Sequence, residues 1–288
     1  MRANPTRRAF LAAAGSVWAL GRGVLASERV SGASAGLRTV AYNVYGFDGW
    51  PENRANRERL RAARAQMPAR VALELARYEP DIVTFSEAGP EASVAAVTQA
   101  LGMRYAYFDG GFPGACLSRF PILESATYSL ASKDIDALEP FTRHAGRALL
   151  DTPGGPVVVF SAHLHPRSRD VRLREIAQVR TWLQDSLDAN AMLLVQGDLN
   201  HPPDGPEYAL WRETGLVDTF AARDASGEGT VRSDKPVLRI DYIWVHGSLA
   251  QRLRQSRVLF EGAFRVNPDD PFSFALSDHL PVLAEFGQ

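Results

Sequence analysis

The stretch Leu193-Leu-Val-Gln-Gly-Asp-Leu-Asn-His201 constrains the chain more than any other. Three apolar residues run towards a glycine, and Asp198 and Asn200 follow two positions apart. Side chains alternate across a strand, so residues i and i+2 point the same way. A buried strand ending in Gly-Asp-x-Asn therefore aims a carboxylate and an amide together out of a sheet edge. There the pair can orient a water or a phosphate. The same residues also suit a plain turn, because Asp and Asn after strands bond their own backbone. The other strand ends discriminate between the two.

Strand and helix patterns alternate from about Leu37 onward. Leu37 to Val44 is apolar and β-branched and leads into the aromatic, turn-rich loop Tyr45-Gly-Phe-Asp-Gly-Trp-Pro51. An arginine-dense helical stretch, Arg54 to Arg64, is expected to break near Pro68 and resume from Ala69 to Arg77. Its arginines read as a solvated face or as a track for an anion. Pro80-Asp-Ile-Val-Thr-Phe-Ser-Glu87 is a buried strand ending in a carboxylate, and Glu91 to Leu101 is a helix closed by Gly102. Short strands follow near 105–108, 115–118 and 122–128. The polar segment Ala131 to His144 reads as a surface loop. Strands at Arg147–Asp151 and Val157–His163 flank the turn Pro153-Gly-Gly-Pro156. Ser168 can cap a helix reaching about Leu187, and Pro206 to Glu213 is a further helix. Arg239-Ile-Asp-Tyr-Ile-Trp-Val-His246 is a strand, and Ser277-Asp-His279 sets a polar triplet before the last one.

The N-terminus reads differently. Thr6-Arg-Arg-Ala-Phe-Leu11 is similar to a twin-arginine export signal, followed by a weakly apolar run and the cleavage-like Val24-Leu-Ala26. That run is too short and too rich in Ala and Gly to anchor the chain stably in a bilayer. The expected division is a signal peptide over 1–26, a linker over 27–36 and one domain over 37–288. The product is then periplasmic or secreted, a monomer handled by the export machinery. Removing 1–26 takes away four arginines and no acids, leaving 28 basic against 33 acidic residues, net −5. A nucleic-acid binder usually carries a basic footprint, so nucleic acid is not the favoured partner. The single cysteine, Cys116, excludes an internal disulfide and a multi-cysteine metal cage. It reads as a small core residue in a strand.

Nearly every strand end carries a polar residue: Asn43, Glu87, His163, Asp198, Asn200, Asp241, Asp278 and His279. Each alone has a bland reading as a turn, a cap or a satisfied histidine. Converging, they make an oxygen-rich site with bases beside it, suited to Mg²⁺, with Mn²⁺ or Ca²⁺ as substitutes.

The set Tyr42-Asn43, Phe85-Ser-Glu87, Ser161-Ala-His163, Gly197-Asp-Leu-Asn200, Arg239-Ile-Asp-Tyr242 and Ser277-Asp-His279, in that order, resembles the endonuclease/exonuclease/phosphatase superfamily of DNase I-like proteins. Leu117-Ser-Arg-Phe-Pro-Ile122 is similar to a strand-turn segment of the same family. The resemblance implies an α+β fold, a four-layer α/β/β/α sandwich of two mixed β-sheets with outer helices and a site at one rim. It implies Glu87 as principal Mg²⁺ ligand with Asn43 beside it, and Asp278 in the metal environment. Asp198 would orient or deprotonate the attacking water, and Asn200 would hold that water or the phosphate. His279, partnered by Asp241, would bond the scissile phosphate, and His163 would serve the leaving group. Arg147 and Trp50 are substrate-side candidates outside that set. His165 completes a His-x-His spacing also seen in zinc hydrolases, but Asp170 is followed by Val171 rather than histidine, so His165 reads as a loop residue.

The expected function is an exported, Mg²⁺-dependent phosphoesterase cutting a small or lipid-like phosphodiester by in-line attack of water. A nuclease using the same site is the alternative. A catalytically silent binding protein is a third reading, disfavoured because no position of the set is lost.

Overall fold

A computed structural model describes residues 36–129, 138–223 and 229–288. The export signal, the linker up to residue 35 and the first half of the predicted surface loop lie outside the described residues. In chain order the elements are β1 (Arg38–Asn43), α1 (Arg57–Ala63), α2 (Met67–Ala76), β2 (Ile82–Ser86), α3 (Glu91–Leu101), β3 (Arg104–Phe108), β4 (Gly114–Ser118), β5 (Ile122–Thr127) and β6 (His144–Thr152). Then follow β7 (Gly155–His163), α4 (Arg169–Asp188), β8 (Met192–Asp198), α5 (Pro206–Glu213), β9 (Val217–Asp218), β10 (Asp241–His246), α6 (Ser248–Arg252), β11 (Leu253–Val258) and β12 (Val282–Phe286).

The strands form two six-stranded mixed sheets, ordered β11-β12-β1-β2-β4-β3 and β5-β6-β7-β8-β10-β9. Each sheet has one parallel pair at its centre, β1 with β2 and β7 with β8, flanked by antiparallel neighbours. A parallel pair needs a crossover, which α1 with α2 and α4 supply. It also brings the C-terminal ends of both its strands to the same edge. Asn43 and Ser86 are register partners at that edge of the first sheet. His163 and Asp198 end the pair in the second.

Alternation then decides which side chains meet. In the second sheet Val157, Val159, Leu194, Ile243 and Val245 join the core shared with the first sheet. Their neighbours Val158, Phe160, Leu193, Val195, Tyr242 and Trp244 pack instead with Ile176, Val179 and Leu183 of α4 and Trp211 of α5. Leu60, Met67, Val71, Leu75, Val94 and Val97 bring α1, α2 and α3 onto the first sheet. The result is the expected α+β sandwich, helices outside and two sheets between. A polar bond also crosses between the sheets, Thr39 Oγ1 donating to Gln196 Oε1 at 3.0 Å. Asp198 and His163 continue the parity of Leu194 and Val159 by two-residue steps, so they end on the intersheet face.

Some expectations need correction. The arginine-dense helix does break near Pro68, but the break is a 3₁₀ turn over Arg64–Gln66. Pro68 itself sits in the first turn of α2, where a missing N–H costs nothing. Phe141, Thr142, Arg143 and His144, assigned to a surface loop, are buried, and β6 starts at His144. The 247–276 region, left unassigned, holds α6 and the edge strand β11. The arginine-dense stretch is a solvated face: Arg57, Arg61 and Arg64 surround Glu52, and Arg59 lies 4.4 Å over the Phe272 ring. Cys116 is fully buried in β4, and burial pushes its thiol up to about 12. Among the described residues no helix is long and apolar enough to cross a membrane.

Candidate active site

Asp198 is the centre of the rim cluster. It ends β8 just after Gly197, whose φ is +141° and whose Cα faces the Ala162 carbonyl of β7 so closely that a Cβ would collide with it. Only glycine fits both conditions, and it sets the direction in which Asp198 leaves the strand. Asp198 Oδ1 accepts the Asn200 N–H at 3.1 Å, with Asn200 in the left-handed region at φ +54°. The turn reading of Gly-Asp-x-Asn is thus true of the backbone, and it frees Oδ2 for the site. Oδ2 accepts from Asn43 Nδ2 at 3.0 Å and lies 3.5 Å from His163 Nε2 and 3.7 Å from His279 Nε2.

Asn43 ties the sheets together, since the same Nδ2 also donates to Glu87 Oε1 at 3.3 Å. Its amide oxygen turns back to the Tyr45 N–H at 3.0 Å. Asn43 therefore orients two carboxylates, and in this arrangement it presents its nitrogen rather than an oxygen ligand to them. Glu87 follows β2 at φ +50°, held there by its carbonyl accepting from Gly46 N–H at 2.8 Å. Asn200 Nδ2 donates to the Leu164 carbonyl at 2.9 Å.

Asp241 is the register partner of Asp198 on the antiparallel β10, so two carboxylates stand side by side in the interior. Directly opposed like charges are destabilising. His279 answers them, with Nδ1 bonded to Asp241 Oδ2 at 2.9 Å and Nε2 directed towards Asp198. Burial alone would lower its pKa; the charges of Asp241 and then Asp198 instead hold it up at about 10, so the ring is an imidazolium. Burial, reinforced by Asp241, raises the Asp198 carboxyl. His163 shows the opposite balance: burial, then the charge of Arg143, lowers it well below the usual range, and it stays neutral.

Asp198, Asp241 and His279 each bring one ligand atom within 4.8 Å of the others. Both ring nitrogens of His279 already face carboxylates, Nδ1 that of Asp241 at 2.9 Å and Nε2 that of Asp198 at 3.7 Å. That trio reads as a carboxylate–imidazolium relay. The oxygen donors on the other side fit a hard cation better. Glu87 is raised by burial and has an amide as its hydrogen-bond partner, and the half-buried Asp278 adds a second carboxylate whose charge also raises Glu87. Two carboxylates that burial raises, each feeling the other's charge or that of Asp241, suit Mg²⁺, Mn²⁺ or Ca²⁺.

The structure thus brings the eight rim residues together and leaves two candidates aside. Arg147 has the parity opposite to Ala148 and Leu150, points away from the intersheet face, and pairs with Glu124 at 3.6 Å. Trp50 is bonded through its backbone to Ala275 and carries the Arg232 guanidinium 4.9 Å over its ring, outside the pocket. His165 is a loop residue but a buried one. Its Nδ1 accepts the Arg167 and Ser168 N–H groups at 3.2 and 3.0 Å, which shapes the entry to α4.

Sequence reasoning missed Arg143 and Phe112. Both line a pocket of about 190 Å³ with Glu87, His163, Asp198 and His279. Arg143 is 2% exposed and its guanidinium lies 5.2 Å over the Phe112 ring, which also meets His163 edge-on at 6.3 Å. Such a guanidinium, buried beside a carboxylate pocket and held by an aromatic face, is a ready receptor for a phosphoryl oxygen. The signal was present in Thr142-Arg-His144, a polar triplet before a strand just like Ser277-Asp-His279.

The fold recurs in solved structures. A mannosyl-6-phosphatase of Bacteroides thetaiotaomicron superposes with a TM-score of 0.67 at 20% identity, over 88% of this chain and 100% of that one. TDP2 of Caenorhabditis elegans gives 0.62 at 19%, over 88% and 98%. D. rerio TDP2 complexed with single-strand DNA product gives 0.64 at 18%, over 88% and 100%. At these identities the likeness concerns the fold. No curated protein matches the sequence. Residues 40–279, a span holding all eight rim residues, match the endonuclease/exonuclease/phosphatase family. The chain belongs to that family of metal-dependent phosphoester hydrolases.

Proposed function

We propose that the chain is an exported, Mg²⁺-dependent phosphodiesterase acting on a small or lipid-like phosphoester. The observation that carries this reading is the convergence on one pocket of a buried carboxylate, Asp198, an imidazolium, His279, a neutral imidazole, His163, and a guanidinium, Arg143. At about 190 Å³ the pocket takes a phosphoryl group and little more, so the rest of the substrate lies outside.

Asp198 orients the attacking water through Oδ2 and accepts its proton, a task that a raised carboxyl pKa suits near neutral pH. The new P–O bond forms as the bond to the leaving oxygen breaks on the opposite side, without a covalent enzyme intermediate. His279 donates from Nε2 to a non-bridging oxygen, with Asp241 fixing its ring and charge. Arg143 binds a second non-bridging oxygen from the Phe112 wall. His163 donates from Nε2 on the leaving-group side, stabilising charge as it develops there. Asn200 holds the turn that keeps Asp198 pointed into the pocket. Glu87 and Asp278, with Asn43 beside them, would hold the divalent cation, which when bound supplies Lewis-acid charge neutralisation.

Assay of residues 27–288 on bis-p-nitrophenyl phosphate, p-nitrophenyl phosphate, phospholipid head-group esters and plasmid DNA tests the substrate class. Turnover of the small or lipid diesters should lead. Plasmid nicking far above it would replace this reading with a nuclease, and leading turnover of the monoester would make the chain a phosphomonoesterase.

Export is supported by Thr6-Arg-Arg-Ala-Phe-Leu11 and by the cleavage-like Val24-Leu-Ala26. N-terminal sequencing of the protein from fractionated cells should begin near Ser27. Arg7→Lys with Arg8→Lys should trap it inside the cytoplasm; unchanged periplasmic yield would refute twin-arginine export.

A further inference from the structure

The phosphoryl-binding wall is made of two chain segments that part at the end of the β6–β7 ladder, where His144 pairs with His163. One is Phe141 to Arg143, ahead of β6, and the other is Leu164 to Pro166, beyond β7. Between them lies a carboxylate that the mechanism does not use, Glu175 on the inner face of α4, 1% exposed. Its Oε1 accepts the Phe141 N–H at 2.8 Å, and its Oε2 accepts the His165 N–H at 2.8 Å. Each oxygen thus serves one segment. Phe141 is two residues before Arg143, and His165 is two after His163 and one before Pro166. One turn earlier on the same helix face, Arg172 Nη1 donates to the His165 carbonyl at 3.0 Å, and its Nε and Nη2 donate to Glu207 Oε1.

Geometry makes this clamp more than a filler of backbone needs. Phe141 sits at φ +57°, a region that a non-glycine residue keeps only where its surroundings impose it. Its ring is pinned 4.8 Å from Trp182 of α4, so helix and segment are held both through the side chain and through the amide. Beyond it, the Arg143 carbonyl lies so close to Gly110 that a Cβ there would overlap it, and the Thr142 carbonyl accepts the Gly111 N–H at 3.0 Å. Arg143 is therefore held against the Phe112 loop by the segment that Glu175 bonds.

We propose that Glu175 is a positioning residue of the phosphoryl site: one buried carboxylate, bonded to Phe141 and His165, holds the segment that carries Arg143 against the loop that follows His163. It touches no substrate. Its effect on a bound phosphoryl group passes through Arg143, and the proposal rests on the reading of the pocket as a phosphoryl site. Glu175→Gln keeps size and one acceptor, but its NH₂ group must face a second N–H donor, so one segment is released.

The test is a double-mutant cycle on binding, which needs no turnover. Inorganic phosphate is titrated calorimetrically, with Mg²⁺ present, into wild type, Glu175→Gln, Arg143→Ala and the double variant. Displacement of a binding group by about an ångström is costly, and Glu175→Gln should weaken phosphate about tenfold in the wild-type background. In the Arg143→Ala background it should have no further effect. Equal weakening in both backgrounds, or none in the wild type, would overturn the proposal. Amide exchange in the unaltered protein decides the matter if Glu175→Gln does not fold: the Phe141 and His165 amides should be among the slowest, and fast exchange at either would overturn it. Wild type that binds no phosphate would instead count against the proposed function, and the exchange measurement would still judge the clamp.

Discussion

Asp198→Asn is expected to lower kcat on bis-p-nitrophenyl phosphate by about 10³-fold, within the range for loss of a positioned acid–base group, and to leave the chain folded. The amide cannot take a proton from water, and it replaces one of two acceptor oxygens with a donor. Oδ1 and Oδ2 are both engaged, by the Asn200 N–H and Asn43 Nδ2, so the amide loses one of those contacts whichever way it lies. Against this, the substitution removes a buried negative charge next to Asp241 and near Glu87. Relief of that repulsion offsets the lost contact, so melting temperature should move by only a few degrees. Measured kcat within tenfold of wild type would remove Asp198 from the chemistry, whatever the substrate.

The second large effect concerns the cation. EDTA should abolish turnover, and Mg²⁺ or Mn²⁺ should restore it, since a Lewis acid contributes several kcal/mol to phosphoryl transfer. Glu87→Gln should cut kcat/KM by about 10²-fold or more at low Mg²⁺ and recover part of the loss as Mg²⁺ is raised, because the weakened site still has Asp278. In the absence of metal the same variant should be no less stable than wild type. Glu87 is half-buried, and losing its charge relieves the repulsion from Asp278 while Oε1 can still accept from Asn43. Activity that survives chelation, or a Glu87→Gln enzyme with unaltered Mg²⁺ dependence, would refute the assignment of the cation to this side of Asp198.

Much of this site was legible because two simple rules coincide. Apolar alternation identifies strands, and a polar residue just past an apolar strand marks the rim. Asn43, Glu87, His163 and Asp198 all end strands that belong to parallel pairs, so the rule finds them. Arg143 escaped it for a topological reason. β6 runs antiparallel to β7, so the beginning of β6 meets the end of β7, with His144 opposite His163. A residue ahead of a strand reaches the same rim when its neighbour points the other way, and the sequence does not state which neighbour that is. Arg147 misled because the strand begins three residues earlier than its apolar core suggests. With Ala148 and Leu150 facing the other sheet, its parity turns it outward towards Glu124. Pro68 was read as a break because proline's cost depends on position within a helix, and the 3₁₀ turn before it has no clear sequence mark.

Asn43 has one further consequence. Its single amide nitrogen touches Glu87 on its own sheet at 3.3 Å and Asp198 on the facing sheet at 3.0 Å. The cation side and the water side of the reaction therefore meet at a seam between two layers joined mainly by apolar packing. Sliding one layer by a single ångström would stretch the Asn43–Asp198 bond to about 4 Å, beyond hydrogen-bonding range. Every strand could keep its own ladder through such a slip. Catalytic competence in this molecule is thus a gauge of how the two sheets are docked, and it would fail before either sheet did.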